Sequence, residues 1–217
     1  MAKKKDGYVF SIAADNPAIT GCTVSGQLMK GVTCFSLAAD TDISAERYPI
    51  PILHYTLSGN TELEYKGKKE KIINVKNGEV ILKTAETDIG VKTNRDSVYI
   101  EIALGRETDM NEVVKAGEVF KLKEFVPYQD GKIVNMDIVS SNSVKFVVMA
   151  FDEGCALSDH VAPGDAIIFA LDGEGIIGYE GEKHTIKAGE NFRFAKGGLH
   201  SVKAKSKFKM ALLLTLE

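Results

Sequence analysis

The chain has little that marks a stapled, membrane-spanning or nucleotide-handling protein. Its three cysteines, Cys22, Cys34 and Cys155, show no CxxC spacing. An odd count without a framework fits free thiols in a reducing compartment, so a cytoplasmic protein is expected. No apolar run approaches the roughly 20 residues of a membrane span. The short run YVFSIAA, flanked by Asp6 and Asp15, is too brief and interrupted for a signal peptide and reads as a strand. No P-loop, dinucleotide-type glycine pattern, nucleophile elbow or helix-turn-helix segment occurs. Lysine plus arginine is 27 against 30 aspartate plus glutamate, a net charge of −3, which excludes an electrostatic footprint for nucleic acid or an anionic membrane. The Lys3-Lys4-Lys5 run reads as a solvated tail.

What is present is a repeat. YTLSGN, from Tyr55, is matched by FALDGE, from Phe169, at an offset of 114. TELEYKG and GIIGYEG keep that offset, whereas Gly78-Glu79 and Gly189-Glu190 stand 111 apart, because KKEKIINVKNG is three residues longer than EKHTIKAG. DSVYIEIAL and KFKMALLLT then close the two halves. Short strands with period-two or continuous apolar patterning, punctuated by glycine turns, predict an all-β barrel or sandwich in each half. One segment departs from this. In DMNEVVKAGEVF, Asp109 and Glu112 form a capping box and Gly117 a stop, which predicts a short connecting helix over about 110–116. Two domains follow, 1–108 and 109–217.

Two stretches of the second half carry a family resemblance. GCALSDHVAPGDAIIFALDGEG places Gly154 and His160, and GENFRFAKGGLH places Gly189, Gly197 and His200. The pattern resembles the two motifs of the cupin superfamily, and the whole chain resembles a two-domain (bicupin) protein of tandem jelly-roll barrels. The resemblance implies a divalent metal (Fe, Mn, Ni or Zn) in the C-terminal barrel, with His160 and His200 at ligand positions. The second histidine position is Ala162, the glutamate position is Ala166, and Asp165 lies one residue from it, facing the opposite way on a regular strand. Two of four ligand positions remain, against the three or more protein ligands usual for such metals. The first half keeps none, since Glu46, Tyr48 and Ile89 stand at the matching places. It is expected to be structural or pocket-forming.

The parity set by His160 puts Ala162, Ala166, Ile168 and Ala170 inward, and with Phe192 and Phe194 these are the expected ligand-binding wall. His184 is expected on the barrel exterior, His54 in a core or interface, Cys155 as a small buried residue and Glu46 on an exposed loop. Three functions stay open: a small-molecule-binding bicupin, a metal-dependent dioxygenase or isomerase whose two-histidine site is completed by water or substrate, and a structural or assembly role. The expected partners are a small-molecule ligand and, because jelly-roll edges need covering, a second copy in a homodimer; no nucleic acid or membrane partner is expected.

Overall fold

The computed structural model describes residues 6–67, 70–105 and 107–216. They divide into two compact units, one of residues 12–105 and 112–121, the other of residues 6–11, 107–111 and 122–216. The first unit has a six-stranded sheet, in the order Val119–Lys121, Glu79–Lys83, Ile52–Ser58, Ser97–Ala103, Val32–Leu37 and Thr23–Met29. Its four-stranded sheet runs Asp42–Arg47, Asp88–Lys92, Asn60–Lys66 and Lys71–Lys76. The second unit repeats the plan. Its seven-stranded sheet runs Val9–Phe10, Asn191–Phe194, Asp165–Asp172, Phe208–Thr215, Val144–Phe151, Ile133–Ser140 and Asp109–Met110. Its four-stranded sheet runs Ala156–Val161, Leu199–Ala204, Glu174–Tyr179 and Glu182–Lys187. Both are jelly-roll barrels of antiparallel strands.

The sequence pattern accounts for the layers. In Asn60–Lys66, Thr61 and Leu63 are buried while Glu62 and Glu64 reach solvent, as alternation on a two-faced sheet demands. Ser97–Ala103 and Val144–Phe151 are buried along almost their whole length and read as near-continuous apolar runs. Leu63, Val75, Ile81 and Tyr99 centre the first core. Ile177, Phe192, Phe194 and Phe208 centre the second.

The register confirms the repeat. Glu46 pairs with Ile89 in the first unit just as His160 pairs with His200 in the second, and each pair follows a register shift at the equivalent place, between Ile43 and Glu46 and between Leu157 and His160. The hairpin glycines Gly59 and Gly173 match too, with φ of 76° and 71°. A Cβ on Gly173 would run into the carbonyl of Lys207. Gly173→Ala is therefore expected to cost about 1–3 kcal/mol through backbone strain alone, read as a lowered denaturation midpoint.

The helix expected over 110–116 does not form. Asp109–Met110 is a strand paired with Val139 and Ser140, and the chain then turns to a bridge between Leu82 and Ala116. Val114, 6% exposed, is buried in this stretch. The capping signature is local, whereas edge pairing and burial of a β-branched side chain are tertiary gains that outweigh it. Among the described residues the only helical elements are Ile12–Asp15 and the 3₁₀ turn Leu122–Glu124, and no helix is long and apolar enough to cross a membrane.

Candidate functional site

The bulge between Leu157 and His160 resets the pleat so that His160 stands opposite His200 on the neighbouring strand. The two rings meet at a centroid distance of 4.1 Å and an angle of 52°. His160 is exposed, whereas His200 is only 5% exposed and stacks on Phe194 at 4.2 Å. Each ring is fixed by the backbone carbonyl two residues before it: His160 Nδ1 lies 2.8 Å from the Ser158 carbonyl oxygen and His200 Nδ1 lies 3.1 Å from that of Gly198. A carbonyl oxygen only accepts, so each Nδ1 carries the proton and donates. In the neutral ring the Nε2 lone pair is then left open. Burial lowers the pKa of His200; the bond to Gly198 opposes this and the neighbouring His160 adds to it, so the ring favours its neutral form.

Both rings line a half-open cleft of about 380 Å³. Val147, Met149, Leu157, Leu212 and Leu214 give it an apolar wall, with Ala162, Pro163 and Ala166 near the histidines. Asn135, Asp137 and Lys145 supply polarity, the last two as an exposed ion pair at 3.2 Å. Of the expected wall, Ala162 and Ala166 line the cleft. Ile168, Ala170, Phe192 and Phe194 lie instead in the packed core, none more than 4% exposed. The cause is the size of the neighbours: Phe192 and Phe194 pack ring on ring at 5.1 Å and fill the depth of the barrel, which leaves space only near its mouth.

Asp165 faces away from the histidines, accepting bonds from Arg193 and from the backbone N–H of Lys196. Among the described residues no group of three or more His, Cys, Asp or Glu is placed to hold a metal ion. Two imidazoles with open Nε2 atoms are a donor set short of the three protein ligands a resident catalytic metal normally has, so the protein by itself does not complete the shell of one. His184, expected outside, is half-buried and rests on Phe192 at 5.1 Å. Cys155 packs at the margin of the second core, and Glu46 is exposed.

The first unit holds a polar cluster where the second is apolar. Lys83 is 2% exposed and its Nζ donates to Glu101 Oε1 at 2.7 Å. His54, fully buried, directs Nδ1 toward the same oxygen at 3.8 Å, while Nε2 contacts Thr61 Oγ1 at 2.9 Å and Thr56 Oγ1 at 3.3 Å. Its ring stacks on Tyr99 at 4.3 Å. Burial by itself would raise the Glu101 carboxyl, but the facing His54 and the Lys83 charge outweigh it and hold the group below the ordinary carboxylate range. The core position expected for His54 is where it lies, whereas sequence reasoning missed Lys83 and Glu101. The signal was there: by the repeat offsets His54, Lys83 and Glu101 match Ile168, Phe194 and Leu212, so three polar residues stand where the other copy is apolar.

Burial also lowers the pKa of His54, and the facing Glu101 only partly offsets this. The unfolded ring, with an ordinary pKa near 6.5, takes up a proton on acidification before the folded ring does. Stability is therefore expected to fall below about pH 6.5, by at most about 1.4 kcal/mol per pH unit from this group. Denaturation midpoints at pH 7.5 and 5.5 measure the decline, and His54→Gln should flatten it.

The model of the family described as "Cupin domain" matches residues 147–216, the part of the chain that carries the histidine pair. The second unit therefore carries a cupin domain, and the chain has the fold of a two-barrel cupin. The match takes in all four strands of the second unit's four-stranded sheet and, in its seven-stranded sheet, Asp165–Asp172, Asn191–Phe194, Phe208–Thr215 and most of Val144–Phe151; the first unit's likeness to it is one of fold. A cupin 2 conserved barrel domain protein from Leptotrichia buccalis is 28% identical, covers 99% of both chains and superposes with a TM-score of 0.86. AerE from Microcystis aeruginosa is 16% identical over 93% of this cupin and 97% of its own chain, with a TM-score of 0.55. A salicylate 1,2-dioxygenase from Pseudaminobacter salicylatoxidans is 10% identical over 86% of this cupin and 71% of its own chain, with a TM-score of 0.62. At those two identities the likeness is one of fold. No curated protein matches the chain.

Proposed function

We propose that this two-barrel cupin binds a small, largely apolar molecule in the cleft of its second unit, with one hydroxyl or similar hydrogen-bond donor held by His160 and His200. The observation that carries the reading is the pair of Nδ1 bonds to the carbonyls of Ser158 and Gly198, which leaves two Nε2 acceptors on rings that line a mostly apolar cleft. Small-molecule sites are typically of this kind, mostly apolar with a few fixed polar groups. The cleft's volume of about 380 Å³ suits a compact ligand. Calorimetric titration of the whole chain with a panel of small phenols, alcohols and hydroxy acids tests it. At least one compound should bind saturably to wild type and lose affinity in His160→Ala and in His200→Ala. Equal binding by the variants would refute the reading.

The same open Nε2 atoms favour one second reading, a metal-dependent dioxygenase or isomerase whose shell is completed by water or substrate. It requires close to one equivalent of Fe, Mn, Ni or Zn to be retained after resupply and desalting. Retention below about a tenth of an equivalent argues for the metal-free reading.

A further inference from the structure

We propose that the interior of the first barrel is a second ligand site, latched by Tyr48, for a small neutral ring compound carrying a hydroxyl group. The inference concerns a different barrel from the reading above and does not depend on it.

The first argument is positional. The matched pairs Glu46–Ile89 and His160–His200 fix the equivalence of the two units, and Tyr48 then falls at the place of Ala162. In the second unit that place lines the open cleft. In the first it holds a phenol ring that is only half-buried, over residues that are wholly buried. The plug and the cleft are two states of one architectural position.

The second argument is chemical. A barrel that merely needs filling is filled well by apolar residues, as Phe194 does in the second unit, where Leu212 walls the cleft. Burying an ion pair in their stead brings no stability advantage over packed apolar side chains. The cluster moreover leaves hydrogen-bonding capacity unspent. His54 Nδ1 is buried without a hydrogen-bond partner, its distance to Glu101 being 3.8 Å. Lys83, a triple donor, has Glu101 as its hydrogen-bond acceptor and otherwise faces the Tyr48 ring, 5.1 Å from its centroid. A ligand oxygen that entered here would find donors ready.

The third argument gives the class of ligand, because Tyr48 already shows what fits. Its ring lies over the Lys83 ammonium and its hydroxyl donates to Glu46 Oε2 at 2.7 Å. A hydroxyl-bearing ring could take over the place over the ammonium when Tyr48 turns outward. Lys83 and Glu101 cancel in charge, so a neutral molecule adds none, whereas an anion would bring an uncompensated charge beside the Glu101 carboxylate.

The probe is p-cresol, the tyrosine side chain as a free molecule, titrated by calorimetry into the full chain. Every protein carries Ala162→Tyr, which copies the plug into the second barrel and removes its cleft from the measurement. The parent should bind p-cresol weakly but saturably, and better than toluene or benzoate. Tyr48→Ala, which removes the latch, should bind it at least tenfold more tightly with the same order of preference. No saturable binding by the parent, a gain below tenfold in a folded variant, or toluene or benzoate bound as well as p-cresol overturns the proposal. If Tyr48→Ala does not fold, the parent's preference among the three probes decides.

Discussion

Glu101→Ala lowers the stability of the first barrel by about 3–5 kcal/mol, the cost of breaking a buried ion pair from one side. The carboxylate is the acceptor for Lys83, which is 2% exposed, and it also faces the buried His54. Removing it strands an ammonium in the barrel with no counter-charge in contact, and that desolvation penalty dominates the effect. Glu101→Gln keeps an acceptor without the charge and should fall between. The decisive companion is Lys83→Phe with Glu101→Leu, which installs the residue types found at the matching places Phe194 and Leu212. Replacing a whole buried pair by apolar groups of similar volume is often neutral or better, so the double variant should recover most of the stability lost in Glu101→Ala. Denaturant midpoints of the three variants and the wild type measure the series.

His200→Ala should lower the affinity of the second barrel for its ligand by roughly 100-fold, about 2.7 kcal/mol, the range of a buried anchor residue. The ring is 5% exposed, stacks on Phe194 and is locked by Gly198, so it offers its Nε2 at little entropic cost. His160→Ala should cost less, since that ring is exposed and its neighbour remains. Stability should move little in either variant, which separates a lost contact from a damaged fold. Equal losses of affinity and stability would place His200 among the packing residues.

The fold was legible because its signals are periodic and doubled. The 114 and 111 offsets, read from glycine turns and strand patterning, reappear as matched strand pairs with the same bulge. His160 and His200 were legible as a meeting pair because each lies in a recognisable motif. Three features were not. The capping box at Asp109 was a sound local signal, overridden by edge pairing with Val139 and Ser140. The inward parity of Ile168 and Ala170 was right, but parity does not say how deep large neighbours fill a barrel, and Phe192 and Phe194 close it below the histidines. Lys83 ends an apolar strand and Glu101 interrupts one, where a charged residue usually marks an exposed position, and only comparison with the apolar second copy marks them as interior.

The most direct measurement is nitrogen-15 NMR of the histidine side chains in the full chain, before and after addition of the best binder from the titration panel. At neutral pH, His160 and His200 should both report a protonated Nδ1 and a bare Nε2, and on binding both Nε2 signals should move while those of His54 stay fixed. Nε2 protonation in the free protein, or binding that leaves both Nε2 signals unchanged, would contradict the proposed site.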